Sequence, residues 1–505
     1  MSTNKSIAKS AGVIGLATAL SRVLGFVRDI VIAGFFGTEL YAQAFVVAFR
    51  IPNLLRDLIG EGATNSAFVP VFTEELTHKG KQQFYGLAQV VFNILFFVLL
   101  VISAVGVFAS PLIVRLIAPG FLEDPEKFRV TVTLTRFLFP FLILVGIWAY
   151  AMGVLNTLGH FAAPAFGPAV LNVMMILCAM WFGENVFGLA TGVLAGGVLQ
   201  VFIQVPALYI NGWRFKLTGE FRHPKAKKIG LLLIPRALGA CVYQINVFIS
   251  TILASLSGIA GEGAVAALYY ANRIWQLPLA IFGIALAQAA LPTMSRYVAL
   301  NDIDKLKGAL LFSFRVLFFI LVPSSIGLMV LSAPITRTLF ERGAFGPYST
   351  GITADALFFY AIGLLACGGI KILVSVFYSL KDTLTPVKVA AVSLVLNIIL
   401  NIVLMAPLRA SGLALATSLA AIFNCVALYR LLRRKIGPLG IGRITDSLIK
   451  VTTAGLAMGL FCYYLSARLN VIFNIALGCG VYFLASLLLG SSEIKEFSSW
   501  ILRKR

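Results

Sequence analysis

The chain is short of charge. Of its 505 residues only 12% are Asp, Glu, Lys or Arg, and only 20 are acidic. The hydrophobic share is 59% and the mean hydropathy +0.94, well outside the roughly 45–50% apolar content of a soluble domain. No stretch of soluble composition is long enough for a separate globular domain. The six cysteines (178, 241, 367, 425, 462 and 479) are isolated in apolar segments with no CxxC pair. That excludes a disulfide framework or a thiolate metal site and leaves them as small buried hydrophobes. Three scattered histidines (78, 160 and 223) form no HExxH motif. GxxxxGK[ST] is absent too, so the chain carries no sign of ATP hydrolysis and reads as a non-enzyme. Alternating strand patterns of about ten residues are missing, which excludes a membrane β-barrel. No small-residue cleavage site follows the first apolar run, so that run is expected to be a spanning helix and not a removed leader.

What the chain has instead is apolar runs of roughly 20 residues, the length that a bilayer core demands. They predict an all-α polytopic membrane protein of about fourteen transmembrane helices. The spans fall near 11–36, 41–73, 85–117, 128–157, 164–183, 186–211, 228–257, 263–297, 306–332, 351–379, 386–406, 410–432, 445–466 and 469–491. Alternate loops differ in charge. About two dozen basic residues fall on one side, including the "WRFKLTGEFRHPKAKK" and "RLLRRK" clusters, and about six on the other. The rule that basic loops stay inside then puts both termini in the cytoplasm. The net charge of +21 is thereby assigned to topology and to anionic phospholipid contacts, not to a nucleic-acid partner.

The sequence also repeats itself. "SAFVPVF" resembles "AALPTMS", "ASPLIVRLIAPGF" resembles "SAPITRTLFERGAF", and "NTLGHFAAP" resembles "YSLKDTLTP". Pro70, Pro111 and Pro164 pair with Pro292, Pro334 and Pro386 at an offset of about 222 residues, or six spans. An even offset preserves topology, so the halves form two six-helix lobes related by a parallel repeat plus two C-terminal helices. The expected divisions are 1–216, 217–435 and 436–505. Such two-lobed architectures carry their substrate between the lobes, near the midplane.

Against this apolar background, "SRVLGFVRDIVIAGFFG" (21–37) places Arg22, Arg28 and Asp29 inside a span. "RIPNLLRD" repeats the "RVLGFVRD" pattern and adds Arg50, Arg56 and Asp57. Arg273 lies in a third span. A basic residue at mid-helix costs roughly 2.5–3.5 kcal/mol on insertion scales, so four facing lipid would cost on the order of 10 kcal/mol. Arg22, Arg28, Arg56 and Arg273 are therefore expected to face a hydrated cavity, whereas Arg115, Arg136, Arg236, Arg315 and Lys450 lie near span ends and are expected to snorkel. The intramembrane surplus is positive, which predicts an anionic substrate. Guanidinium forks suit phosphate. "IGEGATNS", with Glu61, is expected to break its helix beside Arg56. Asn397 and Asn401, one turn apart, and Asn246 and Thr417 on other spans are either interhelical hydrogen-bond partners or oxygen ligands for a coupling cation.

These segments carry a resemblance. "SRVLGFVRD", "FRIPNLLRDLIGEGATNSAFVPVF", "YYANRIWQLPLAIFGIALAQAALP" and "GVLNTLGHFAAPAFGPAVLN" resemble the MurJ (MviN) lipid II flippases of the multidrug/oligosaccharidyl-lipid/polysaccharide exporter superfamily, in order from about Ser21 to about Arg434. The resemblance implies fourteen helices in two lobes, a central cationic cavity and a hydrophobic groove made by the last two helices. It implies movement of the undecaprenyl-diphosphate-linked peptidoglycan precursor from the cytoplasmic to the periplasmic leaflet of the bacterial inner membrane. The family's cavity arginines match Arg22, Arg28, Arg56 and Arg273, its aspartate Asp29, and its glutamate Glu61. A superfamily sodium site would map to Asn246, Asn397, Asn401 and Thr417, with amides at 246 and 401 in place of carboxylates. Gln43, Asn272 and Gln276 likewise stand at acidic family positions. No cofactor is implied; Na+ or the membrane potential would drive the cycle, in a monomer. The alternatives are a flippase for another polyprenyl-linked oligosaccharide and a multidrug antiporter of the same superfamily, which should carry an acidic cavity.

Overall fold

The computed structural model describes residues 3–56, 67–216, 219–438, 441–491 and 493–494, with backbone alone at 3–11, 55–56, 233–243 and 441–444. All regular structure among them is helical. The helices are α1 (Thr3–Phe36), α2 (Leu40–Arg56), α3 (Val69–Ile117), α4 (Pro125–Leu138), α5 (Phe141–Thr157), α6 (Ala162–Phe182), α7 (Val186–Phe202), α8 (Val205–Ile210), α9 (Pro224–Ser255) and α10 (Ser257–Ala260). There follow α11 (Ala264–Pro278), α12 (Ala285–Ala299), α13 (Ile303–Val330), α14 (Ser332–Phe340), α15 (Pro347–Ile362), α16 (Leu364–Ser379), α17 (Leu384–Ile436), α18 (Ile441–Leu465) and α19 (Val471–Leu488). A π-helical turn, Leu279–Ile284, joins α11 to α12. By length and composition nine described helical segments can cross a membrane, or ten if α15 and α16, bent by 44° at their junction, make one span.

The breaks inside the two longest helices fall between expected spans. Helix α3 kinks at Gly80 (φ 78°) and α17 at Arg409 (φ 51°), each between two stretches that the hydropathy separates. The repeat is visible in backbone detail. Helices α4 and α15 both open on a proline, Pro125 and Pro347. Helices α5 and α16 both close on a residue of positive φ, Gly159 (80°) and Lys381 (60°). His160 N then donates to Leu155 O (2.8 Å), and Asp382 N to Phe377 O (2.9 Å), the same Schellman bond at the same separation.

The chain forms two compact units, Met1–Leu256 with Arg342–Phe345, and Ser257–Glu341 with Gly346–Arg505. The first extends to Leu256, beyond the repeat boundary at 216, because α9 is anchored within it. Near one end of α9, Lys225 Nζ bonds Glu74 (2.9 Å) and the buried Glu75 (2.6 Å) of α3. At its other end Ser255 Oγ accepts from Gly120 N (3.2 Å). The preceding segment is tied to α3 as well. Tyr85, Gln89 and Asn93, on successive turns, donate to the carbonyls of Asn211, Lys216 and Glu220. Trp213 is buried among Phe92 and Tyr150. The tetrapeptide Arg342–Phe345 seats on the end of α1, where Ala344 N donates to Gly34 O (2.9 Å). Gly37 is required there: its φ is +55°, and a Cβ would lie 2.5 Å from Ala344 O.

In the second unit α18 packs on α13 and α19. Gly455 and Gly459 admit Ile326, whose side chain stands 2.7 Å from where either Cβ would be. The outer faces of α18 and α19 remain apolar and open, with Leu460 73% and Leu488 80% exposed.

Candidate functional site

In α1 every third or fourth residue from Ser21 turns toward α6, and the face deepens along the helix. Arg22 is exposed, Gly25 half-buried, Arg28 5% exposed and Asp29 1% exposed. Arg28 Nε (3.1 Å) and Nη2 (2.7 Å) both donate to Asp29 Oδ1. Its Nη1 donates to Asn172 Oδ1 of α6 (3.0 Å), with Met175 Sδ 3.9 Å away. A guanidinium removed from water is thus matched by a carboxylate and an amide carbonyl, the condition under which a buried charge is tolerable.

Arg50 of α2, grouped by the sequence with the cavity arginines, donates instead to Val247 O of α9 (3.1 Å) and to Thr251 Oγ1; it joins two helices of the first unit. Arg56 ends α2 with its side chain outside the described residues, and Asp57 and Glu61 lie outside them altogether. The break expected in "IGEGATNS" falls on the same stretch.

In the second unit Arg273 of α11 is half-buried. Its guanidinium carbon lies 5.0 Å from the centroid of the Tyr269 ring, one turn back, and its Nη2 donates to the Tyr269 hydroxyl (3.0 Å). The same helix pairs Asn272 Oδ1 with Gln276 Nε2 (2.5 Å). Gln43, on α2 of the first unit, is buried.

The amides of the candidate ion site divide between the units. Asn246 is half-buried on α9 of the first, and its Oδ1 has no hydrogen-bond partner among the described residues. Asn397, Asn401 and Thr417 lie on α17 of the second. Asn401 Nδ2 donates to Asn397 Oδ1 (2.8 Å), and Thr417 Oγ1 donates to Leu413 O (3.0 Å). Asn401 Oδ1 is buried with no donor among the described residues. What the site offers is an amide pair bonded to itself, with one oxygen unused.

Two contacts escaped the sequence. Arg315, expected to snorkel, bonds the buried Glu493 (Nε to Oε1, 2.6 Å), which also accepts from Ser447 (2.9 Å) and Ser491 (2.5 Å). Burial pushes the Glu493 carboxyl up, but these bonds outweigh it and hold it down at about 2. Asn172 was also missed. Its signal was an amide in the middle of an otherwise apolar helix.

A family model described as lipid II flippase MurJ matches residues 32–481. The chain belongs to the MurJ family. It is 38% identical over 432 residues to the probable lipid II flippase MurJ of Rhizobium meliloti (strain 1021), covering 84% of this chain and 80% of that one. It is 36% identical over 431 residues to the lipid II flippase MurJ of Burkholderia cenocepacia, covering 83% and 82%. A solved structure of lipid II flippase MurJ in an inward closed conformation superposes with a TM-score of 0.81 at 26% identity, over 96% of this chain and 99% of that one. An inward-facing MATE-family multidrug resistance transporter of the MOP superfamily superposes at 0.68 with 14% identity, over 84% and 98%; that likeness is one of fold alone. The family is one of multi-pass inner-membrane proteins, which the apolar helices fit.

Proposed function

We infer that the protein flips lipid II, the undecaprenyl-diphosphate-linked peptidoglycan precursor, from the cytoplasmic to the periplasmic leaflet. The reading rests on membership of the MurJ family. The observation in the molecule that supports it is Arg28, held almost out of water on an apolar helix by Asp29 and Asn172. We read Arg22, Arg28, Arg56 and Arg273 as contacts for the diphosphate, with Asp29 and Glu61 as the carboxylates that partly neutralise them when no substrate is bound. Substrate oxygens then compete with Asp29 for a fork already formed, so binding exchanges one anion for another and does not strand a buried charge. The isoprenoid tail stays in the bilayer while the headgroup crosses by alternating access.

The finer organisation belongs to the same proposal. Residues 1–216 and 217–435 are the repeat halves, and 436–505 is an appended helix pair whose apolar faces receive the lipid tail. There are about fourteen crossings, both termini are cytoplasmic, the basic loops meet anionic phospholipids, and the protein works as a monomer with no cofactor. The potential across the membrane, with Na+ as the lesser contributor, drives the cycle. The decisive experiment is complementation of a conditional lipid II flippase mutant, with labelled precursor followed across the membrane. Absence of translocation at normal protein abundance would overturn the reading. Cysteine probes test the topology: positions 124 and 348 should label from outside, and 222 and 438 only after the membrane is breached.

A further inference from the structure

We propose that Asn172 is the positioning residue of Arg28, and that its neutral amide keeps this arginine exchangeable between Asp29 and the substrate. The proposal rests on the reading of Arg28 as a diphosphate contact.

Asn172 is 7% exposed and uses both ends of its side chain on α1. Its Oδ1 accepts from Arg28 Nη1 (3.0 Å), while its Nδ2 donates to the carbonyl of Ser21 (3.0 Å). Between those two points lies Gly25, where a Cβ would stand 3.4 Å from Nδ2. The amide therefore spans two turns of α1 across a gap that glycine leaves open. It fixes the rotation of α1 through the backbone and the plane of the guanidinium through the side chain. An alkyl side chain of the same size does neither. A carboxylate accepts from Arg28, but sets an oxygen against the Ser21 carbonyl and gives the arginine a second anion to pair with.

Helix α6 packs on α1, α5 and α7. Helices α5, α6 and α7 contain no Asp, Glu, Lys, Arg or His, and Tyr150 of α5 is turned to Ala88 O (2.7 Å). Of the charged residues that α1 brings to this face, Arg22 is exposed, and Arg28 and Asp29 are the buried pair. A neutral acceptor there leaves that pair balanced. The choice of amide over carboxylate then becomes a property of transport as well as of packing.

Asn172→Asp separates the two. Deprotonated, the introduced carboxyl holds Arg28 against the substrate. Flipping of labelled lipid II in vesicles should be roughly tenfold slower than wild type, the order expected for one misplaced charge-assisted bond, whereas Asn172→Gln, which keeps a neutral acceptor, should stay nearer wild type. Flipping by Asn172→Asp equal to wild type overturns the proposal. Should this variant fail to accumulate in the membrane, Asn172→Gln and Asn172→Leu carry the test. The amide should retain more flipping than the apolar isostere, and equal rates overturn the proposal. The double variant Arg28→Met/Asp29→Asn, which removes both charges together, is run beside them. If it flips normally, the reading of Arg28 falls and the proposal with it. If it is inactive while Asn172→Asp flips as fast as wild type, the proposal alone falls.

Discussion

Removal of Arg28 should do two separable things. The side chain makes two bonds to Asp29 and one to Asn172, and Asp29 is 1% exposed. Deleting one partner of a buried pair costs about 3–5 kcal/mol, because the other loses that counter-charge in low dielectric. That is a large part of a typical stability of roughly 5–15 kcal/mol. Arg28→Ala should therefore lower abundance as well as flipping, and loss of complementation by that variant cannot assign a role. The double variant Arg28→Met/Asp29→Asn removes both charges and keeps most of the volume, and paired apolar or neutral replacements are often close to neutral. Its abundance should return to near wild type. Its flipping should stay low, by roughly 100-fold or more, since two charge-assisted bonds to phosphate at about 1.5–3 kcal/mol each are gone. Arg28→Lys should fall between, because a point charge can keep Asp29 but cannot hold Asn172 with the same fork. The assay is membrane abundance of a tagged protein measured beside translocation of labelled precursor. A double variant at normal abundance that flips within about threefold of wild type would refute the reasoning, since mutational effects of that size need no lost phosphate contact. It would make the pair structural.

Lys381 holds a left-handed conformation (φ 60°) that its repeat counterpart gives to Gly159; Lys381→Gly should raise stability by about 1 kcal/mol, read as a higher unfolding temperature in nanodiscs, and a lower one would count against the argument. The Lys435 ammonium (2.6 Å), then the Thr385 backbone N–H (3.0 Å) and hydroxyl (2.8 Å), hold the Asp382 carboxyl well below the usual range. A depressed carboxyl contributes stability above its unfolded value, near pH 4, and loses it as pH falls further. Asp382→Asn should thus cost stability at neutral pH and little in strong acid, and an equal cost at both would sink this account. Glu493→Ala leaves Arg315 without this partner and should speed proteolysis after α19, while Arg315→Met/Glu493→Leu should largely restore resistance.

Much of this was legible because lipid enforces it. A bilayer demands long apolar helices, so the stretches read from hydropathy are mostly helical where their residues are described. Glycine and proline marked the turns, and the repeat carried even the Schellman closures at 159 and 381. What stayed hidden was pairing at a distance. A lone arginine near a span end reads as snorkelling, yet Arg315 has Glu493 as its partner, 178 residues on. Arg50 reads like Arg22 by local pattern, and only the packing of α9 on α2 shows that it is a fastener. The contact boundary at Leu256 was equally unreadable. Sequence repetition reports how the halves arose, whereas the place of α9 depends on Lys225 reaching Glu74 and Glu75. Asn172 was on the page as the last letter of "GPAVLN", but its meaning needs the gap at Gly25 opposite.

The coupling follows from the same electrostatics. A cation shifts a conformational equilibrium only by its differential affinity for the two states. Ligand charge sets much of that affinity. At α17 the ligands are neutral, and they are partly engaged already: Asn397 Oδ1 accepts from Asn401 at 2.8 Å, and Thr417 is bonded to its own helix. A sodium ion entering there would have to break the amide pair and would find no carboxylate among Asn397, Asn401 and Thr417. Read as cavity residues, Arg22, Arg28, Arg56 and Arg273 outnumber Asp29 and Glu61 and would put net positive charge within the membrane's field. One elementary charge carried through the whole field changes energy by about 2.3 kcal/mol per 100 mV. Flipping in vesicles, with potential and sodium gradient set independently, should therefore respond steeply to potential and weakly to sodium. Strong sodium dependence at zero potential, abolished by Asn401→Ala, would reverse that order and make the amide pair a true coupling site.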